Sequence, residues 1–241
     1  MNPNDNSSNL LVTGSISNTI SALNQTKIFR PKSTPKANAC QLCLLVLDAS
    51  GSMRWAHYGG QTKADAVNEG TLGLITRLKQ SSKRADFHVG VINFDHRVIV
   101  RQQPIPVLTM ELPKALLELD DLGDATDIGN ALKQAHLICE SFLAGQQAGG
   151  LPHSTVILLM SDGVCRDPEQ TLVIAETIKQ DHPMNKIKIV TSLFGDDNDE
   201  SASAVDLLRT IASIKDGTPC FLQTDNVEAL RNFFAASSIQ A

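Results

Sequence analysis

From Cys40 onward, short runs that are apolar at every position alternate with longer stretches in which apolar residues recur every three or four positions. The first pattern suits strands buried on both faces, and the second suits amphipathic helices. Cys40 to Leu47 reads as a strand, and Gln61 to Gln80 as a helix with Ala64, Val67, Leu72, Ile75 and Leu78 along one face. Phe87 to Phe94 and Val98 to Arg101 read as a hairpin. A polar-capped segment near Glu111 to Leu119 leads into an acidic loop with Asp120 and Asp121. A helix is predicted from Asp127 to about Leu143, its core side formed by Ile128, Ala131, Leu132, Ala135, Leu137 and Ile138. Strand Thr155 to Met160, helix Pro168 to Lys179, strand Lys186 to Phe194, helix Ser203 to Ile214, strand Pro219 to Gln223 and helix Val227 to Ala236 follow.

Such alternation predicts an α/β fold: a doubly wound, mostly parallel central sheet with one antiparallel edge strand and helices on both faces. Residues 1–39 break the pattern. They are rich in Asn, Ser and Thr, end in the basic, proline-containing run Arg30 to Lys36, and read as a flexible or extended arm. A weak hairpin over Asn9 to Ile20 is its one ordered expectation. The domain proper is expected over 40–241.

Composition narrows the classes. A net charge of −5 with 20% charged residues lacks the basic stripe that a phosphate backbone requires, so nucleic acid is not an expected partner. No run approaches the ~20 apolar residues of a membrane span. The N-terminal residues lack the basic start and apolar run of a secretory signal, and the expected location is cytoplasmic. Cys40, Cys43, Cys139, Cys165 and Cys220 are odd in number and scattered through predicted core elements, which fits a reducing compartment. Cys40 and Cys43 have redox-motif spacing but enter a strand, where positions three apart face opposite ways; they read as small buried hydrophobes.

The chemistry gathers where strands end. The apolar run Leu44 to Leu47 stops in Asp48-Ala49-Ser50-Gly51-Ser52, one carboxylate and two hydroxyls at a strand tip. Oxygen donors of that kind suit a hard cation. In a parallel sheet, sites form outside the carboxyl ends of strands. Two further segments qualify by position: Thr126, just before an amphipathic helix, and Asp162-Gly163, at the end of the apolar strand that runs through Leu158 and Met160.

These three fragments, in this order, resemble the metal-ion-dependent adhesion site of von Willebrand factor A-type domains, and the resemblance covers about Cys40 to the C-terminus. It implies metal ligation by Asp48, Ser50, Ser52, Thr126 and Asp162, directly or through water for the two acids. It further implies Mg2+, with Mn2+ or Ca2+ as alternatives, and a last ligand supplied as a Glu or Asp carboxylate by a partner protein. Two acids balance a divalent ion and three hydroxyls add no charge, so the ion retains affinity for an incoming carboxylate. Among relatives the chain looks like bacterial intracellular stand-alone members associated with tellurium resistance and stress responses. A self-assembling scaffold using the same site or the N-terminal arm is the competing binding role.

Ordinary structural roles stand beside these. Ser50 and Ser52 could cap their loop, Thr126 could be the N-cap of the following helix, and Asp162-Gly163 could be a plain turn. Asp124 and Asp127 suit the helix dipole rather than metal. The run Asp196 to Glu200 reads as a solvated loop. Trp55 and Tyr58, the single residues of their types, follow the first ligands with Arg54; they either grip a partner at the rim or, for Trp55, pack back onto the domain. Cys165 and Arg166 lie just beyond Asp162, and His57 and His96 follow strand ends. No phosphate-binding loop or nucleophile elbow occurs, and Ser50 stands where an Asp-x-Asp phosphatase needs its second acid. The chain is therefore expected not to be an enzyme, with a Mg2+-dependent hydrolase as the remaining catalytic alternative.

Overall fold

Strand β1 (Gln41–Asp48) is buried along its whole length, so it must be the centre of a sheet covered on both faces. In the computed structural model, residues 39–56, 60–117, 123, 125–145, 152–181, 186–195 and 202–238 are described. The expectations for the arm and its hairpin, His57, Tyr58, Asp120, Asp121, Asp124 and 196–200 lie outside the described residues. Residues Ala37–Ala241 form one unit by their internal contacts.

The remaining described elements are α1 (Lys63–Gln80), β2 (Phe87–Phe94), β3 (Val98–Pro106), α2 (Ile128–Ala144), β4 (Ser154–Ser161), α3 (Pro168–Asp181), β5 (Ile187–Phe194), α4 (Ala202–Ile211), β6 (Ile214–Lys215), β7 (Thr218–Pro219), β8 (Phe221–Thr224) and α5 (Val227–Ser238). The main sheet has the order β3-β2-β1-β4-β5-β8. Only the β2–β3 pair at its edge is antiparallel. This is the predicted doubly wound architecture. The chain leaves β1 in one direction and returns to β4 on its other side, which is where a crevice at the strand tips is expected.

Side-chain parity divides β1 between two cores. Cys43, Leu45 and Leu47 pack with Val67, Leu74 and Ile75 of α1 and with Leu230 and Phe234 of α5. Leu42, Leu44 and Val46 pack with Ile128 and Leu132 of α2, Ile178 of α3 and Leu207 of α4 on the other face. Leu45→Ala would leave a cavity in the first core, a change that costs about 2–5 kcal/mol. At Gly90 the β2–β3 register shifts, and an added Cβ would lie 2.9 Å from Leu44 Cδ1. Glycine there allows strand and core to approach.

Three details differ from the sequence expectations. Leu137, assigned to the core side of its helix, is 64% exposed, because the packed stripe runs through Ala131, Leu132, Ala135, Ile138 and Cys139. The helix expected to reach Ile214 ends at Ile211, and Ile214 enters a small hairpin, β6–β7. Its turn residues Asp216 and Gly217 have φ of 50° and 77°, the left-handed pair that favours Asp-Gly in two-residue hairpins. Finally, β3 runs on to Pro106 at the sheet edge, where a proline's missing N–H is tolerated.

Candidate metal centre

The ends of β1 and β4 bring the sequence-predicted donors together through a chain of hydrogen bonds. The Ser50 N–H donates to Asp48 Oδ1 at 2.8 Å. Ser52 Oγ donates to Asp162 Oδ1 at 2.8 Å, and the two serine hydroxyls are 3.0 Å apart. Since Ser52 has one proton and Asp162 takes it, Ser50 donates to Ser52. Three loops are also tied through their backbones. Gly51 N–H donates to Gly123 O at 3.0 Å, and Arg166 N–H donates to Thr126 O at 2.9 Å. Thr126 is buried, and its Oγ1 lies 3.6 Å from where a Cβ on Gly163 would sit, so the threonine hydroxyl borders the Asp162-Gly163 turn.

The geometry decides several of the open alternatives. The N-cap of α2 is Asp127, whose Oδ1 accepts from Asn130 N–H at 2.9 Å; Thr126 does not cap that helix. Ser50 precedes the 3-10 turn Gly51–Arg54 and makes no side-chain cap bond to it. Both hydroxyls are thus left for the cluster. Trp55 does not pack into the domain. It is 66% exposed, with the Lys63 ammonium 5.7 Å from its ring centroid. Arg54 and Arg166 are exposed nearby in sequence to the donors, and Cys165 is buried with Sγ 3.3 Å from Thr171 Oγ1, as a bystander.

Three contributors carried no signal that sequence reasoning caught. Ser161 Oγ donates to Asp48 Oδ2 at 2.6 Å and is fully buried. Lys63 Nζ, at the first residue of α1, donates to Asp162 Oδ2 at 2.7 Å. Asp95, just after β2, accepts from Gly123 N–H at 2.8 Å and pairs with Arg97 NH2 at 2.8 Å; its carbonyl accepts from Asp127 N–H. Asp95 therefore clamps both ends of the Thr126 loop. His96 stays at this clamp, its Nδ1 3.4 Å from Asp95 Oδ1.

Electrostatically the cluster is acid-rich and largely buried. Burial, then the neighbouring Asp162 charge, pushes the Asp48 carboxyl up to about 6, against the pull of its bonds from Ser161 and Ser50. Among the described residues, two carboxylates share the site with one ammonium, and that ammonium bonds Asp162. A divalent cation held by these oxygens would relieve the repulsion, and the hard donor set fits Mg2+ better than a soft metal. Among the described residues no group of three or more His, Cys, Asp or Glu is assembled for metal, so a zinc-type site of those residues is not formed there. Of the CxxC pair, Cys43 is buried as expected, with its thiol pushed up to about 12, whereas Cys40 is half-buried at the start of the strand; neither forms a disulfide.

Residues 43–164 match the family model for the von Willebrand factor type A domain. No curated protein sequence matches the chain. Among solved structures, a variant of the minor pilin PilB from Streptococcus sanguinis aligns over 86% of this chain and 63% of its own, with TM-score 0.62 at 15% identity. Proximal thread matrix protein 1 from the mussel byssus, with a zinc-occupied MIDAS motif, aligns over 84% and 48%, with TM-score 0.56 at 15% identity. An aerotolerance-related membrane protein from Bacteroides fragilis aligns over 84% and 100%, with TM-score 0.55 at 12% identity. These likenesses are of fold. The chain spans less than two thirds of the pilin and about half of the byssus protein.

Proposed function

The chain belongs to the von Willebrand factor type A domain family, and from that premise we propose that it is a protein-binding module working through a divalent cation, Mg2+ in the first instance. Asp48, Ser50, Ser52, Thr126 and Asp162 hold the ion, and a Glu or Asp of a partner protein completes its coordination. The observation that carries this reading is the continuous link from Asp48 through Ser50 and Ser52 to Asp162, with Thr126 alongside. Such a preformed oxygen cluster limits the reorganisation that ion binding requires. The names of its fold neighbours, a minor pilin and a thread matrix protein, support an interaction role.

Arg54 and Trp55 form the described part of the partner rim, and Tyr58 is assigned to it from sequence. Rim charges of this kind steer an acidic partner, while an exposed aromatic supplies an anchor. The role has no catalytic step. We place the protein in the cytoplasm, in a regulatory or stress-response complex; its five cysteines, none of them in a disulfide, support a reducing compartment. Among the described residues no helix is long and apolar enough to cross a membrane. Affinity capture with wild type and Thr126→Ala, each in Mg2+ and in chelator, tests the reading. Partners retained only by wild type in Mg2+ support it, and retention indifferent to both changes overturns it.

A further inference from the structure

Lys63 occupies an unusual position for a surface-helix lysine. The N–H of Thr62 donates to Asp65 Oδ2 at 3.0 Å and Asp65 N–H donates to Thr62 Oγ1 at 3.1 Å, a capping box that fixes the start of α1. Lys63 N–H also donates to Trp55 O at 3.2 Å, closing the loop that follows the first serine donors. From this fixed base the side chain runs inward. It is 13% exposed, and its ammonium meets the wholly buried Asp162 carboxylate. Gly195, just after β5, borders the ammonium: a Cβ there would sit 3.6 Å from Nζ, in ordinary contact. The ammonium also lies 5.7 Å from the Trp55 ring centroid.

Both oxygens of Asp162 are therefore engaged, Oδ1 by Ser52 and Oδ2 by Lys63. Among the described residues no cation bonds Asp48, which accepts instead from the Ser50 amide and the Ser161 hydroxyl. The asymmetry matters because Asp162 is the acid a divalent ion shares with the ammonium.

We infer that Lys63 is a built-in counter-charge that holds Asp162 in the metal-free protein, lowers the affinity of the site for a divalent cation, and leaves the occupied site with a net positive charge that selects a carboxylate ligand. The inference rests on the proposed metal site. The charge balance follows from the groups present. Two carboxylates and one ammonium sum to a single negative charge. A divalent ion turns this into a single positive charge, and one incoming carboxylate neutralises it. Without Lys63 the ion alone would achieve neutrality, and an acidic partner would gain less. Repulsion between ammonium and metal and competition for Asp162 act in the same direction.

Calorimetric titration of Mg2+ and Mn2+ into the full chain separates the possibilities, using wild type, Lys63→Met, Lys63→Gln and Lys63→Arg, each checked for native circular dichroism. Gln retains a neutral donor toward Asp162 and guards against the Met variant failing to fold. Tightening of metal binding by about tenfold or more, ~1.4 kcal/mol, in either neutral variant with Arg near wild type is the expected result. A purely structural role for Lys63 would loosen binding or leave it unchanged. Equal or weaker binding in a folded neutral variant overturns the inference while the metal site stands. Absence of metal binding by every protein, wild type included, overturns the metal site and the inference together.

Discussion

Ser161 Oγ donates to Asp48 Oδ2 at 2.6 Å, across the neighbouring strands β4 and β1, with both residues fully buried. The bond places a neutral donor against the acid of the cluster that, among the described residues, bonds no cation. A hydrogen bond to a charged, desolvated acceptor is worth about 1.5–3 kcal/mol. Ser161→Ala should therefore destabilise the metal-free protein at neutral pH by about that amount, with a smaller loss at pH 4, where Asp48 is neutral. Urea unfolding at the two pH values reads the difference.

Asp48 titrates in the opposite sense to an ordinary paired carboxylate. Its folded value, about 6, lies above the ordinary 3.8, so the folded state holds the proton more tightly. Its favourable contribution is full below pH 3.8 and is lost as pH rises through about 6. At pH 8 the buried ionised group costs up to ~3 kcal/mol. Asp48→Asn should stabilise the metal-free protein at pH 8, the gain shrinking toward pH 4, and should abolish stabilisation by Mg2+. Thermal unfolding with and without chelator checks both.

Asp95 behaves oppositely. Burial alone would raise its carboxyl, but the hydrogen bonds from Arg97 and Gly123 and the Arg97 charge hold it below the ordinary range. Its contribution is present above pH 3.8 and is lost as pH falls through the lower folded value. Asp95→Asn should lose about 1–3 kcal/mol at neutral pH, with the deficit fading in acid. Faster hydrogen exchange at Gly123 and Asp127, whose amides donate to Asp95, would show that the Thr126 loop has come loose. Unchanged exchange at those amides would remove Asp95 from the support of the site.

Trp55 gives a cleaner surface test. With 66% of it exposed, Trp55→Ala should change folding stability by no more than about 0.5 kcal/mol. A loss of several kcal/mol would mean that the ring packs as part of the core.

The thiols should sort by environment. Cys43 and Cys139, both pushed up to about 12 by burial, should resist thiol reagents in the native protein, while half-buried Cys40 and Cys220 react first. Mass spectrometry after brief labelling distinguishes them.

What could be read in advance was whatever the chain encodes locally. The apolar runs of β1, β4 and β5 announce buried parallel strands, and Asp48, Ser50 and Ser52 lie within one strand tip. Thr126 and Asp162 were placed by their position at a helix start and a strand end. Lys63 and Asp95 escaped because their roles depend on where α1 begins relative to β4 and on which loop meets the β2–β3 turn; both relations are tertiary. Ser161 needed the β1–β4 register, which sequence alone leaves open. The Asp216-Gly217 hairpin was readable and was missed, since two-residue strands have too little periodicity to stand out from a preceding helix.

The central claim is that Asp48, Ser50, Ser52, Thr126 and Asp162 hold one divalent cation. Titrating Mn2+ into chelator-treated protein, with free ion counted by electron paramagnetic resonance, tests it most directly. The account predicts one bound ion per chain, displaced by Mg2+ and lost in Ser52→Ala and Thr126→Ala variants that remain folded. No bound ion in the wild type, or an ion that both variants retain with undiminished affinity, would contradict it.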